Sequence, residues 1–500
     1  MKTSILAYLE ETARRVPEKT AFYDDRESLS FAALLEQAQR VGSYLAQRVA
    51  PRQPVALLLD ARSIRNLPAL FGILYAGCAY APLDIAMPPE RLRLLLTLLS
   101  PAAALVDERG EKAIRACEMA DIPVCREQDA AAAPIDQALL DAVRAQSSVF
   151  DPLSILYTSG STGIPKGSVQ THFSYLHWTE ATIAMYGLTE QTVLANQSPF
   201  FYANSILEIF PPVALGASVY MLPAGVLTFP ARLIDSLNAH CVTELCMTPS
   251  SFISIVHAGA LRPGCLPHLK WGIMSGESMS WGPLERWMDA APNAGWWHFY
   301  GSTEMFSVAV GKVARTHQLG DRLPVGRPFP LVHICFVDEN GDALPPGEPG
   351  EMLVSSPWIA SGYYRDPERT ASSWVVDPLG QGWQERFFRG GDIGYIRPDG
   401  QLMVLGRRDT QIKHLGYRME IGEVEAALQL APGWQEGCVL FDGERLWCFY
   451  TGDIDEKTLK NSLRERLARY MLPDVFIRLD ELPRTATMKL DRNALKQRMK

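Results

Sequence analysis

The sequence predicts an α/β fold spread over more than one domain, and three observations carry that expectation. Short apolar runs such as PVALLLD, AAALVDE, ASVYML, TELCMTP and WGIMSGE alternate with longer stretches of helical period. The 500-residue length exceeds what one hydrophobic core usually serves. Beyond residue 330 the texture shifts to short strands punctuated by Asn-Gly and Pro-Gly. The alternation is that of sheets covered by helices.

Taken in order, MKTSILAYLEETARRVPEKTA places Glu10, Glu11, Arg14 and Arg15 where a signal peptide needs an unbroken apolar stretch, so an amphipathic surface helix is expected. FAALLEQAQRVGSYLAQRV follows with helical period. LPALFGILYAGCAYAPL is broken by Gly72, Gly77 and Pro82 and falls short of the roughly 20 residues that span a bilayer, so no membrane segment is expected. REQDAAAAPIDQ is expected as a surface connection. VHICFVDENGDALPPGEPGEMLVSS predicts hairpins in a β-rich subdomain. GQLMVLGRRDTQIKHLGYRMEIGEVEAAL predicts strands and then a helix, with a boundary near Asp409. Residues 1–408 thus form a large N-terminal domain of several subdomains, and 409–500 a small α+β domain.

Composition bounds the function. With 47% apolar residues, 21% charged residues and a formal net charge of -8, nothing electrostatic favours nucleic acid. The nine cysteines are scattered without a CxxC pair or a Cys/His cluster, which argues against a zinc site and a disulfide framework and fits the cytoplasm.

The most concentrated signal is YTSGSTGIPKG, residues 157 to 167. Its glycines let backbone N–H groups turn toward an anion, Thr158, Ser159, Ser161 and Thr162 add hydroxyls, and Lys166 adds charge, so the natural guest is a polyphosphate. A Walker A loop needs its Lys after the second Gly, whereas Lys166 precedes Gly167, so this is not a standard P-loop.

The loop resembles the phosphate loop of the adenylate-forming superfamily, which includes nonribosomal-peptide adenylation domains, acyl-CoA synthetases and luciferases. LSFAALL, LYAGCAYAPLD, YGSTE, GEMLV, SGYYRDPERT, GRRDTQIKHLGYRMEIGEVE, ARYMLP and MKLDR match in the family's order across nearly the whole chain. Length and C-terminal segments are similar to stand-alone ligases such as D-alanine carrier-protein ligase. The resemblance implies a carboxylate attacking the α-phosphate of ATP, loss of pyrophosphate, and capture of the acyl-adenylate by a thiol.

It also implies roles. Gly160 and Gly163 complete the phosphate loop with Thr158, Ser159, Ser161, Thr162 and Lys166. Glu304 matches the Mg²⁺ ligand, Thr303 a phosphate contact, and Lys489 the lysine that bridges carboxylate and α-phosphate. Asp392 matches the ribose ligand, with Arg407 on the ribose or phosphate. Tyr300 matches the residue that stacks on adenine, and Gly276 and Glu277 the adenine-side loop. His298 stands where many relatives carry Asn, and Gly390 where they carry Thr. Asp409 matches the hinge of the small domain, with Gly416 lining the thiol channel and Lys413 close by.

In amino-acid-activating relatives the position of Ala203 holds an Asp that pairs with the substrate ammonium. Burying an ammonium without that partner is costly, so an ordinary α-amino acid held in the usual way is disfavoured. The carried-over pocket is Ala203, Asn204, Leu207, Cys246, Ile273, Ser275, Phe299, Ser307 and Val308, with Glu208 turned away and Phe299 limiting depth. The expected function is a stand-alone adenylation enzyme that loads a small carboxylic acid, amino-acid-like, aryl or short acyl, onto the phosphopantetheine thiol of a separate carrier protein. The alternatives are an acyl- or aryl-CoA synthetase, which shares the first half-reaction, and a non-catalytic binding protein on the same fold.

Overall fold

The apolar runs become the strands of two large sheets. In the seven-stranded one, Val124–Arg126, Ala103–Val106, Pro54–Leu58, Ala79–Pro82 and Pro152–Thr158 lie parallel and continue through antiparallel Lys166–Thr171 to Gly362–Tyr363. In the nine-stranded one, Ser218–Met221, Val193–Asn196, Glu244–Met247, Trp271–Ser275 and Gly295–Ser302 are parallel, with Phe306–Val313 returning antiparallel beside the last. The computed structural model describes residues 2–159, 164–277, 279, 281–315, 323, 325–378, 380–408, 411–484 and 490–499.

The two sheets sandwich a shared core of helices. Helix Asn66–Tyr75 is buried at every position, and Phe31–Ala46, His172–Tyr186 and Ser205–Leu215 pack around it. Local chemistry sets their ends: Ser30 caps the first through Ala33 N–H, Thr171 caps the helix starting at His172 through Ser174 N–H, and Gly187 ends that helix in the left-handed region. Further helices cover the outer faces, so the layers run helix, sheet, helix, sheet, helix. The N-terminal helix Leu6–Arg15 buries Leu6, Tyr8, Leu9 and Ala13. REQDAAAAPIDQ is more than a surface connection. Its alanines favour helix, and Glu127–Ala131 forms a short one with Ala130 buried in the shared core. Among the described residues no helix is long and apolar enough to cross a membrane.

One core residue defies the apolar rule. Glu244 is fully buried on its strand, and neither carboxylate oxygen finds a partner among the described residues. Burial pushes its carboxyl up to about 8, so it is neutral at pH 7. The folded state then holds a proton that the unfolded chain releases above the usual carboxylate range, and stability falls as pH rises from about 4.5 toward 8. Glu208, also pushed up to about 8 by burial, adds to the same slope. Glu244→Gln is expected to stabilise the protein at pH 8 by on the order of 2 kcal/mol, with no gain at pH 4.5. Urea midpoints across that range check this, and a slope equal to the parent's would show that Glu244 does not titrate there.

Beyond residue 330 the expected β-rich unit forms. His333–Val337, Gly350–Ser355, Arg386–Ile396 and Trp374–Val376 make an antiparallel sheet, and Leu402–Arg407 pairs with the third of these. The C-terminal residues have their own cores. A hairpin, Gln411–His414 with Tyr417–Glu420, leads into helix Ile421–Gln429 and a three-stranded sheet of Trp434–Phe441, Leu446–Gly452 and Val475–Arg478. That sheet has two distinct apolar faces. Ile412 and Met419 of the hairpin pack with Val439, Cys448 and Tyr450 on one, while Leu482 and Leu490 pack with Cys438, Leu440 and Phe449 on the other. Alternating strand side chains require these faces to be opposite.

Candidate active site

The site lies where the ends of both large sheets meet the C-terminal hairpin. Strand Pro152–Thr158 delivers Thr158 and Ser159, and the returning strand begins at Lys166. Gly160, Ser161, Thr162 and Gly163 lie outside the described residues. Lys166 Nζ donates to Tyr363 Oη at 2.9 Å and sits 3.4 Å from Glu304 Oε1. Burial lowers its pKa, and the Glu304 charge opposes that. The Thr158 hydroxyl is buried without a partner among the described residues, as suits a donor kept for a ligand.

Glu304 occupies the turn between Gly295–Ser302 and Phe306–Val313, and it is fully buried. Its Oε1 accepts from the Tyr363 hydroxyl at 2.9 Å, and its Oε2 from the Ser302 hydroxyl at 2.9 Å and from Arg418. Burial alone would raise this carboxyl, but Arg418 and Lys166 outweigh it and hold it well below the usual carboxylate range. The Thr303 carbonyl accepts from Gln170 Nε2 at 3.1 Å, which anchors the turn. Among the described residues no cluster of three or more His, Cys, Asp or Glu could hold a metal alone. A buried carboxylate beside Lys166 fits Mg²⁺, which is commonly held by one or two carboxylates plus substrate phosphates.

The structure couples the residues expected on the nucleoside side. Tyr300 Oη donates to Asp392 Oδ2 at 2.6 Å, and Arg407 Nη1 to Asp392 Oδ1 at 3.0 Å. Glu277 is a junction: Oε2 accepts from Ser250 N–H at 2.9 Å, and Oε1 from the Gly416 N–H at 3.0 Å. His298 is buried with Nε2 3.1 Å from the Glu277 carbonyl, so it bonds the neighbouring loop. Gly276 takes a φ of +94°, which favours glycine.

A cavity of about 70 Å³ opens beside these groups, bounded by Trp178, Tyr202, Phe306, Lys413 and Arg418 together with the expected Ala203, Asn204, Leu207, Phe299 and Ser307. Asn204 Nδ2 donates to Ser275 Oγ at 2.7 Å, and Cys246 Sγ lies 3.9 Å behind that hydroxyl. Trp178 Nε1 donates to Ser307 Oγ at 3.2 Å. Four expected members do not bound the cavity: Ser275 and Cys246 stand behind Asn204, and the other two are packed into cores. Ile273 is core beside Cys246, and Val308 packs with Met305, Ala309 and Phe336 in the β-rich subdomain. Strand alternation turns Val308 away from the face that Ser307 presents. A register shift at Tyr300/Gly301, with Phe306 at a φ of +48°, brings Phe306 to the cavity. Glu208 faces inward on Asn196 and the Ser198 N–H and hydroxyl, as anticipated.

The C-terminal hairpin closes the site. Tyr202 Oη donates to the Gly416 carbonyl, Ser159 Oγ to the Arg418 carbonyl at 3.0 Å, and a buried Arg91–Glu423 pair clamps the following helix. Lys413 is enclosed, and burial lowers it to about 8. Asp409 and Lys489 lie outside the described residues. Tyr202 and Arg418, absent from the sequence-derived site, stood one residue from Ala203 and two from Gly416.

Comparison with known proteins agrees with this architecture. Residues 9–364 match the family described as AMP-binding enzyme, and residues 423–489 its C-terminal domain. Surfactin synthase subunit 1 of Bacillus subtilis (strain 168) is 29% identical over 98% of this chain, which spans 14% of that protein's length. Zwittermicin A synthase ZmaJ of Bacillus cereus is 29% identical over 99% of this chain and 95% of its own. The adenylation domain AlmE of Vibrio cholerae, solved with glycyl-adenosine-5'-phosphate, shares the fold at a TM-score of 0.85 and 20% identity, covering 100% of this chain and 98% of that one. The family model spans more than half of the chain, including Lys166 and Glu304, and the chain is a member of the AMP-binding, adenylate-forming enzyme family.

Proposed function

We propose that this protein activates a small carboxylic acid lacking a cationic α-ammonium with ATP, and passes the acyl group to the phosphopantetheine thiol of a separate carrier protein. The carrying observation is the lining that the large domain gives the cavity: Trp178, Ala203, Asn204, Leu207, Phe299 and Ser307 bring no carboxylate among the described residues. Such a lining leaves a buried ammonium without a partner and so disfavours a cationic substrate. The cavity's size suits few heavy atoms. The membership of peptide synthases among the relatives supports a carrier-protein thiol as acceptor.

In the first half-reaction the substrate carboxylate oxygen bonds the α-phosphorus and pyrophosphate leaves. Lys166 and Thr303 contact phosphate, Glu304 holds Mg²⁺, which when bound offsets phosphate charge, Asp392 and Arg407 hold the ribose, and Lys489 bridges the two anions. In the second the thiolate attacks the acyl carbon and AMP leaves, with Lys413 and Gly416 lining the approach. The division at 408/409, hinged at Asp409, lets the small domain present one face or the other.

Pyrophosphate exchange over amino acids of both hands, β-amino acids, aryl acids and short hydroxy, keto and fatty acids tests the proposal. The expected hit is a small uncharged acid; a strong α-amino-acid hit overturns it. Transfer of the activated acid to CoA in place of carrier protein would assign a CoA synthetase. Ala203→Asp is expected to lower kcat/KM for the uncharged acid by at least tenfold, because the new carboxylate meets no cationic substrate group. Unchanged turnover would show that Ala203 does not contact the acid.

A further inference from the structure

We propose that Arg418 is a stand-in cation for the divalent metal at Glu304: the hairpin docks only when the metal has left, and the metal binds only when the hairpin has withdrawn. The proposal rests on the assignment of Glu304 to the metal made above.

A carboxylate offers about four lone-pair directions. At Glu304 all are taken, by the Tyr363 and Ser302 hydroxyls, by Lys166 at 3.4 Å and by Arg418. A magnesium ion needs a ligand oxygen at about 2.0–2.1 Å in near-ideal geometry, and the guanidinium stands in that space. The same residue also engages the phosphate loop, since its carbonyl accepts from the Ser159 hydroxyl at 3.0 Å. One hairpin residue therefore occupies two groups that nucleotide phosphates and their metal require.

Charge explains why such a residue is useful. When the metal departs with pyrophosphate, a fully buried carboxylate is left with Lys166 as its near cation, and an under-compensated buried charge is strongly destabilising. Arg418 restores the balance as the hairpin arrives, so the loss of the leaving group itself favours the thiol-accepting arrangement. Arginine suits this task because its fork bonds two partners at once: Nε donates to Gln411 Oε1 within the hairpin while Nη1 reaches Glu304. By linkage, the factor by which metal weakens docking equals the factor by which docking weakens metal binding.

The test uses the full chain, Mn²⁺ as the metal and pyrophosphate as its counter-ligand, with no acid present. Bound Mn²⁺ is read by electron paramagnetic resonance, and docking by hydrogen exchange of the amides of residues 411–420. In the wild type, Mn²⁺ with pyrophosphate is expected to speed hairpin exchange at least tenfold. Arg418→Met is expected to bind Mn²⁺ about tenfold more tightly and to exchange its hairpin quickly with or without metal; Arg418→Lys should fall between. The proposal is overturned if metal leaves wild-type hairpin exchange unchanged, which needs no variant, or if Arg418→Met and wild type bind Mn²⁺ equally. Glu304→Gln separates the two levels: Mn²⁺ binding that survives this change removes the metal assignment itself, whereas binding that is lost there but indifferent to Arg418 removes only the stand-in role.

Discussion

Lys489→Ala is expected to lower pyrophosphate exchange by about 10²–10³-fold, the scale of losing one preorganised cation at a developing charge, while transfer from preformed acyl-adenylate to the acceptor thiol stays within about twofold. The argument starts from electrostatics. The attacking carboxylate and the α-phosphate repel each other, and an ammonium between them acts most strongly where charge builds in the transition state. Thiol attack on the adenylate brings no second carboxylate to the phosphorus, so it does not need that ammonium. The structure supplies a physical basis for the separation. Leu490, beside Lys489, packs on the face of the small sheet opposite the hairpin, and the hairpin is the part docked on Glu277, Ser159 and Glu304. One rigid domain cannot present both faces to one site, so under the proposed roles the two half-reactions draw on different residues. Single-turnover assays of each half-reaction check this, and equal losses in both would contradict it.

How much of this was legible in the sequence depends on the range of the interaction. PVALLLD announced itself because a strand buried on both faces is a continuous apolar run, and it folds as Pro54–Leu58. Lys166 and Glu304 were legible through local motifs, and the structure sets them 3.4 Å apart. The partners of those residues were not. Arg418 meets Glu304 across 114 positions and two cores, and no local pattern encodes that. Tyr300 was expected to offer a ring face, yet its hydroxyl also bonds Asp392, a residue of another sheet. Val308 fell outside the cavity because pocket membership follows strand facing, which a register shift and one left-handed residue reset locally on its hairpin.

Gly416→Ala is expected to give the mirror image of Lys489→Ala: pyrophosphate exchange within about twofold of the parent and thiol transfer reduced at least 10²-fold, about 3 kcal/mol of lost docking or transition-state stabilisation. Gly416 sits at a φ of +84°, where a side chain is strained by roughly 1–2 kcal/mol. The added Cβ would also lie 2.8 Å from Thr248 Cγ2 and 2.9 Å from its Oγ1. Both peptide groups of the residue are committed, its N–H to Glu277 and its carbonyl to the Tyr202 hydroxyl, so the hairpin cannot slide away without losing both bonds. The proposed arrangement with the opposite face toward the site would not use this contact, which is why the first half-reaction is expected to be spared. Thr248→Ala in the same chain removes the two clashing atoms and is expected to restore part of the transfer, at a cost of about 1 kcal/mol for the lost cap of helix Pro249–His257. Rescue by that second change is the decisive readout. A hairpin that merely became floppy would gain nothing from shortening Thr248, whereas one held off by a collision regains its place when the obstacle is removed.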